Sequence, residues 1–109
     1  MSESIRELTR QIGEFARARD WERFHTPKNL SMALIVEAAE LVEHFQWLTA
    51  EESVEYSQGE RAKAVADELA DVAIYLLRLA DVVGVDLGEA VTEKIRTNEG
   101  RFPAGTTRP

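Results

Sequence analysis

Cysteine is absent from this chain of 109 residues, so it has no disulfide framework and no thiolate to offer a metal or a substrate, which fits a reducing compartment. Basic residues are in short supply: 13 lysines and arginines stand against 20 aspartates and glutamates, a formal net charge of −7. That balance argues against duplex nucleic acid and against an anionic membrane, whose phosphates need a basic surface. A small phosphorylated ligand stays compatible with it, because bound cations reverse the local field. Uninterrupted apolar runs fall short of the ~18 residues of a membrane span, and residues 1–10 hold no apolar leader core. Sustained alternation bounded by hairpin turns is missing too, which removes a β architecture. The expectation is one soluble, cytoplasmic, all-α domain over residues 1–109, since this length builds one core and not two.

What is present has helical period throughout. Capping patterns mark the starts: Ser4 with Glu7, Thr49 with Glu52, Ser57 with Glu60, Asp86 with Glu89, and Thr26 ahead of Pro27. The spacing predicts helices over about 4–19, 28–48, 50–56, 60–83 and 87–99, with Gly84 as a C-terminal cap and a disordered tail over 103–109. In the first helix Ile5, Leu8, Ile12, Phe15 and Ala16 form one stripe. The second carries Leu30, Leu34, Leu41, Phe45 and Leu48. The fourth is apolar on two sides, through Val65, Leu69, Val72, Leu76, Leu79 and Val83 and through Ala66, Ala70, Ala73, Leu77 and Ala80, the mark of a helix sandwiched between others or facing a second subunit.

Two acidic pairs of equal spacing interrupt the most apolar stretches, Glu37 with Glu40 and Glu68 with Asp71. Three apart on a helix, such residues share a face with Cβ atoms ~5–6 Å apart. Two such helices side by side gather four carboxylates, which repel unless a cation sits between them. In so acidic a chain the spacing alone arises readily by chance, and two solvated faces are the plain alternative. Placement favours the metal: Glu37 lies within the Leu34 and Leu41 stripe, and Glu68 and Asp71 flank Leu69 and Val72. Glu43 extends the first pair but rotates toward solvent. All-carboxylate ligation suits Mg²⁺ or Mn²⁺ over zinc. A di-iron bundle needs Glu-x-x-His on two helices, and only Glu22 with His25 matches, in the connection over 20–26.

Lys94, Asn98 and Arg101 line one face of the last helix, able to hold phosphate oxygens or simply to meet the negative end of the helix dipole. Trp21, Phe24, His25 and Trp47 form an aromatic group near the second helix, suited to a core edge, an interface or base stacking.

In order, Asp20-Trp21, Phe24-His25, Pro27, Asn29-Leu30, Glu37-Ala-Ala-Glu40, Phe45-Gln46-Trp47, Glu68-Leu-Ala-Asp71, Lys94 with Asn98, and Arg101-Phe102-Pro103 resemble the MazG-type all-α nucleoside triphosphate pyrophosphohydrolases, in particular their compact dCTP pyrophosphatase branch. The resemblance runs from Ile5 to Pro103. It implies a four-helix-bundle-like fold, and hydrolysis of a (deoxy)nucleoside triphosphate, dCTP or a modified dCTP first, to the monophosphate and pyrophosphate. It implies Mg²⁺ on Glu37, Glu40, Glu68 and Asp71, with Mn²⁺ as substitute, and Glu37 or Glu40 activating water. Tyr75, Lys94 and Asn98 are then expected at phosphate or sugar, and Trp21, His25 and Trp47 around the base; Arg101 either joins them or anchors the C-terminal segment. Ile12 departs from the branch, where a histidine stands in the eukaryotic enzymes. The family further implies a homo-oligomer, a tetramer built from two dimers or a homodimer, in which one subunit completes another's pocket, and a role such as cleansing of the nucleotide pool. The alternative is a non-catalytic oligomeric helical module that binds nucleotide or a partner.

Overall fold

The computed structural model describes residues 4–105. Its elements are α1 (Ile5–Ala18), a 3₁₀ turn at Glu22–Phe24, α2 (Pro27–Glu43), α3 (Ala50–Gln58), α4 (Ala62–Val82) and α5 (Leu87–Arg101), with no strand among the described residues. Four of the five starts carry the expected side-chain cap. Ser4, Thr26, Thr49 and Asp86 accept from the backbone N–H three residues on, and at Thr49 the Glu52 carboxylate returns the bond to the cap's own N–H. The exception is α4. Its N-cap is Arg61, without a side-chain bond, because α3 continues through Ser57. Ser57 is therefore helical and its hydroxyl donates back to the Val54 carbonyl at 2.9 Å, so the expected Ser57 and Glu60 cap does not form.

The second helix also ends earlier than its apolar stripe suggests, at Glu43 and not Leu48. Beyond it His44 and Phe45 donate to the carbonyls of Leu41 and Val42, three residues back, so the chain tightens out of α geometry. The tightening turns both rings onto Tyr56 of α3, with ring centroids 5.7 Å apart in each case. The α4 C-terminus closes on Gly84 in the left-handed region at φ 75°. Residues 106–109, most of the expected tail, lie outside the described part of the chain.

The centre of the fold is α4, which packs most extensively on α2 and next on α1, while α3 and α5 touch it or α1 at the ends. The core where they meet is small. Among the described residues Ala16, Leu30, Val65, Leu77 and Ala80 are its buried apolar members, and of these Leu30 is the large side chain fully enclosed. Of the two stripes expected on α4, Leu69 and Leu76 are exposed, as are Ala66 and Ala73. Those four, at steps of three and four, form a single outward face that no other described element covers. None of the described helices is long and apolar enough to cross a membrane.

Candidate metal centre and aromatic cavity

Packing of α2 on α4 brings the acidic pairs together. Glu37, Glu40 and Glu68 each place a carboxylate oxygen within 4.8 Å of the others. Asp71, one turn along α4 from Glu68, lies near enough for its charge to act on both Glu37 and Glu68. The electrostatics are those of a crowded anionic site. The Glu37 carboxyl is pushed above its ordinary value first by burial, then by Glu40, then by the charges of Asp71 and Glu68. Glu68 is raised for the same reasons, burial first and Glu40 next, with His44 pulling the other way. One oxygen of each, Glu37 Oε2 and Glu68 Oε2, is buried without a hydrogen-bond partner among the described residues. A buried acceptor left bare is unfavourable, and two of them on facing helices form a donor set suited to a hard divalent cation.

Beside this cluster is a recess of about 360 Å³ lined by Glu40, Glu43, His44, Tyr56, Arg61 and Glu68. Tyr56 orders it: Arg61 Nε donates to its hydroxyl at 3.1 Å, and the hydroxyl meets His44 Nδ1 at 2.7 Å. His44, Tyr56 and Arg61 carry no motif in the sequence. Only the early end of α2, which swings His44 onto α3, brings them to the carboxylates.

Further along α4 lies a second cavity, of about 310 Å³, walled by Phe15, Trp21, Phe24, His25, Tyr75 and Arg78, with Ile12 also lining it. Its position follows from helical spacing: Tyr75 and Arg78 continue the line begun by Glu68 and Asp71 at steps of three and four, so the cavity opens one to two turns beyond the acidic cluster. Trp21 meets the Phe15 ring edge-on at 5.6 Å, and the Trp21 and His25 rings lie 6.2 Å apart. The sharp turn into this segment is made at Asp20, which takes φ 57°. Asn29 holds the loop to α2 by donating from Nδ2 to the Phe24 carbonyl at 3.0 Å. Burial, and then the Arg78 charge, lowers the pKa of His25.

Seven of the expected site residues are thus gathered on one side of the α2 and α4 pair: Glu37, Glu40, Glu68 and Asp71 at the cluster, Trp21, His25 and Tyr75 at the cavity. Four are not. Trp47 is 87% exposed in the turn after α2 and lines neither recess. Lys94, Asn98 and Arg101 share a face of α5, which packs on α1 away from the cluster. Arg78 had a signal in the sequence, three residues beyond Tyr75 on the same face, but it sits within an apolar stretch and reads as a helix-surface residue.

Residues 32–107 match the MazG-like family. The chain is 46% identical over 107 residues to human dCTP pyrophosphatase 1 and 43% identical over 106 residues to the rat protein of that name, in each case over 96% of this chain and 62% of the relative. It therefore spans about six-tenths of the length of these relatives. A pyrophosphatase from Archaeoglobus fulgidus, known from a crystal structure, superposes with a TM-score of 0.85 at 39% identity, covering 94% of this chain and 95% of that one. The match over most of the chain, in sequence and in helix arrangement alike, is decisive: the chain belongs to the MazG-like family.

Proposed function

We propose that this protein hydrolyses a (deoxy)nucleoside triphosphate, dCTP or a modified dCTP first, to the monophosphate and pyrophosphate, with Mg²⁺ as cofactor and Mn²⁺ as its substitute. The observation that carries the reading is the pair of bare, buried oxygens on Glu37 and Glu68 inside a carboxylate cluster. Glu37, Glu40, Glu68 and Asp71 would hold the cation. When bound it supplies neutralisation of the triphosphate oxygens and Lewis-acid polarisation at phosphorus. Glu37 or Glu40 orients the attacking water toward the α-phosphorus and accepts its proton. The reaction takes up one water and releases pyrophosphate, and the protein's part is positioning and charge.

The aromatic cavity supports binding of the base. Trp21 is the aromatic wall suited to stacking, and Tyr75 stands between cavity and cluster, suited to the sugar. The choice of dCTP rests on the names of the human and rat relatives. Trp47, Lys94, Asn98 and Arg101 reach this site only if a second copy supplies them. The exposed apolar residues of α2 and α4 support such an assembly, a homotetramer of two dimers or a homodimer.

The test is a pyrophosphate-release assay over the common dNTPs and NTPs with Mg²⁺, run on the full chain and on Glu37→Gln. We expect release with the full chain, dCTP foremost, and a fall of roughly a hundredfold or more in the variant at an unchanged or higher Tm, because the substitution relieves like-charge repulsion. Silence across the panel overturns the activity; normal turnover by Glu37→Gln overturns the metal role.

A further inference from the structure

Among the described residues Arg78 is the most deeply placed charged side chain, only 8% exposed, in the wall of an otherwise largely apolar cavity. Its surroundings account for its position. Nη1 donates to Asp81 Oδ2 at 3.3 Å, and both atoms lie beside Gly13 of α1, where a Cβ would meet each at an ordinary contact distance of 3.5 Å. Asp81 is itself half-exposed, so it balances the buried guanidinium only in part. The remaining contact carries chemical information: Nε donates to His25 Nδ1 at 2.9 Å, joining the C-terminal part of α4 to the loop before α2.

A guanidinium holds donors only and does not deprotonate in proteins. His25 Nδ1 must therefore be the acceptor. The ring keeps a single proton, on Nε2, and Nε2 has no partner among the described residues. Arg78 thus settles which face of the histidine's chemistry is left for a ligand: a donor, never an acceptor.

We infer that Arg78 is a positioning residue for base selection, holding His25 as the neutral Nε2–H tautomer so that the cavity wall presents hydrogen-bond donors and selects a base whose edge presents adjacent acceptors. This rests on the reading that the cavity takes the base. Cytosine has that edge, with its O2 carbonyl beside an unprotonated N3; thymine and uracil carry a proton on N3 and would set a donor against a donor. Discrimination then follows from the penalty on unpaired polar groups in a closed site.

Two measurements on the full chain decide it. Nitrogen-15 NMR of the imidazoles should show His25 with Nε2 protonated and Nδ1 bare, and the reverse tautomer overturns the inference. Kinetics with dCTP and dTTP supply the second. Arg78→Met should lower the dCTP preference in kcat/KM by roughly tenfold or more, as expected for loss of hydrogen bonding tied to a charged group, with the loss in KM and little change in kcat. Arg78→Lys, which keeps a donor, should retain most of the preference. A wild-type chain without preference, or an Arg78→Met variant that slows both nucleotides equally through kcat, overturns it. Should the wild type hydrolyse neither nucleotide, the proposed activity fails by itself, and the ratio of dCTP to dTTP dissociation constants with Ca²⁺ decides the base selection by the same criterion. Should Arg78→Met not fold, the tautomer and the Arg78→Lys ratio decide.

Discussion

Glu37 and Glu68 show how a residue's cost identifies its use. Each is half-buried on a helix face that packs, each keeps one oxygen without a partner, and each is pushed above the ordinary carboxylate value of 4.5 by burial and by acidic neighbours. A carboxyl raised in the folded state binds protons more tightly there than in the unfolded chain. Its contribution to stability is complete below 4.5 and is lost as pH rises through the raised values. In metal-free protein the contribution of these two carboxyls to Tm should accordingly fall as pH climbs from 4.5 toward neutrality, and Mg²⁺ should offset that fall by relieving the repulsion. Thermal melts with chelator and with Mg²⁺ check this, and equal slopes in the two series would refute it. Legibility at this scale divides by packing. Glu37 could be read from the sequence because it breaks an apolar stripe; Arg78 could not, because its value depends on Asp81 and His25 lying beside it.

Helices and their ends were largely written in local chemistry. The caps at Ser4, Thr26, Thr49 and Asp86 need only the neighbouring residues, and so does the glycine that ends α4. Gly84 takes φ 75° with nothing within 4 Å of where a Cβ would stand, so an alanine there meets backbone strain and no clash. Gly84→Ala should destabilise the chain by ~1–2 kcal/mol, read from urea unfolding at unchanged m-value, and no loss would show that the turn relaxes to another conformation. The end of α2 was not local. Its apolar stripe continues to Leu48, yet the helix stops at Glu43 because the rings of His44 and Phe45 gain contacts with Tyr56 on another element. The same competition removes the Ser57 cap, since α3 claims that residue for its own last turn.

For the molecule as a whole, shape and surface point the same way. A compact chain of this length has a radius of gyration of ~13 Å, whereas the value here is 16.6 Å. Met32, Ile35, Val36 and Val42 are exposed along the back of α2, with Ile35 at 67%, and Leu69 and Leu76 along the outer face of α4. Apolar faces of that kind on an extended single chain are what a second copy would cover. Under the proposed assembly, light scattering should return a mass above that of one chain, and Ile35→Glu should shift it toward the monomer and lower the proposed activity. A wild-type chain that scatters as a monomer would remove both the proposed assembly and the supply of Trp47, Lys94, Asn98 and Arg101 from another copy.

The sequence by itself determined the helical class, four of the five helix starts, and the two carboxylate pairs with their place inside apolar stripes, because capping and periodicity are set by residues within a turn or two of one another. Only tertiary structure decided what those pairs are next to. Laying α2 on α4 made a three-carboxylate cluster, brought His44, Tyr56 and Arg61 to its side, and joined Arg78 to His25 across the cavity. It also left Trp47 and the α5 basic face elsewhere, for distance between elements is fixed by packing and has no local signature.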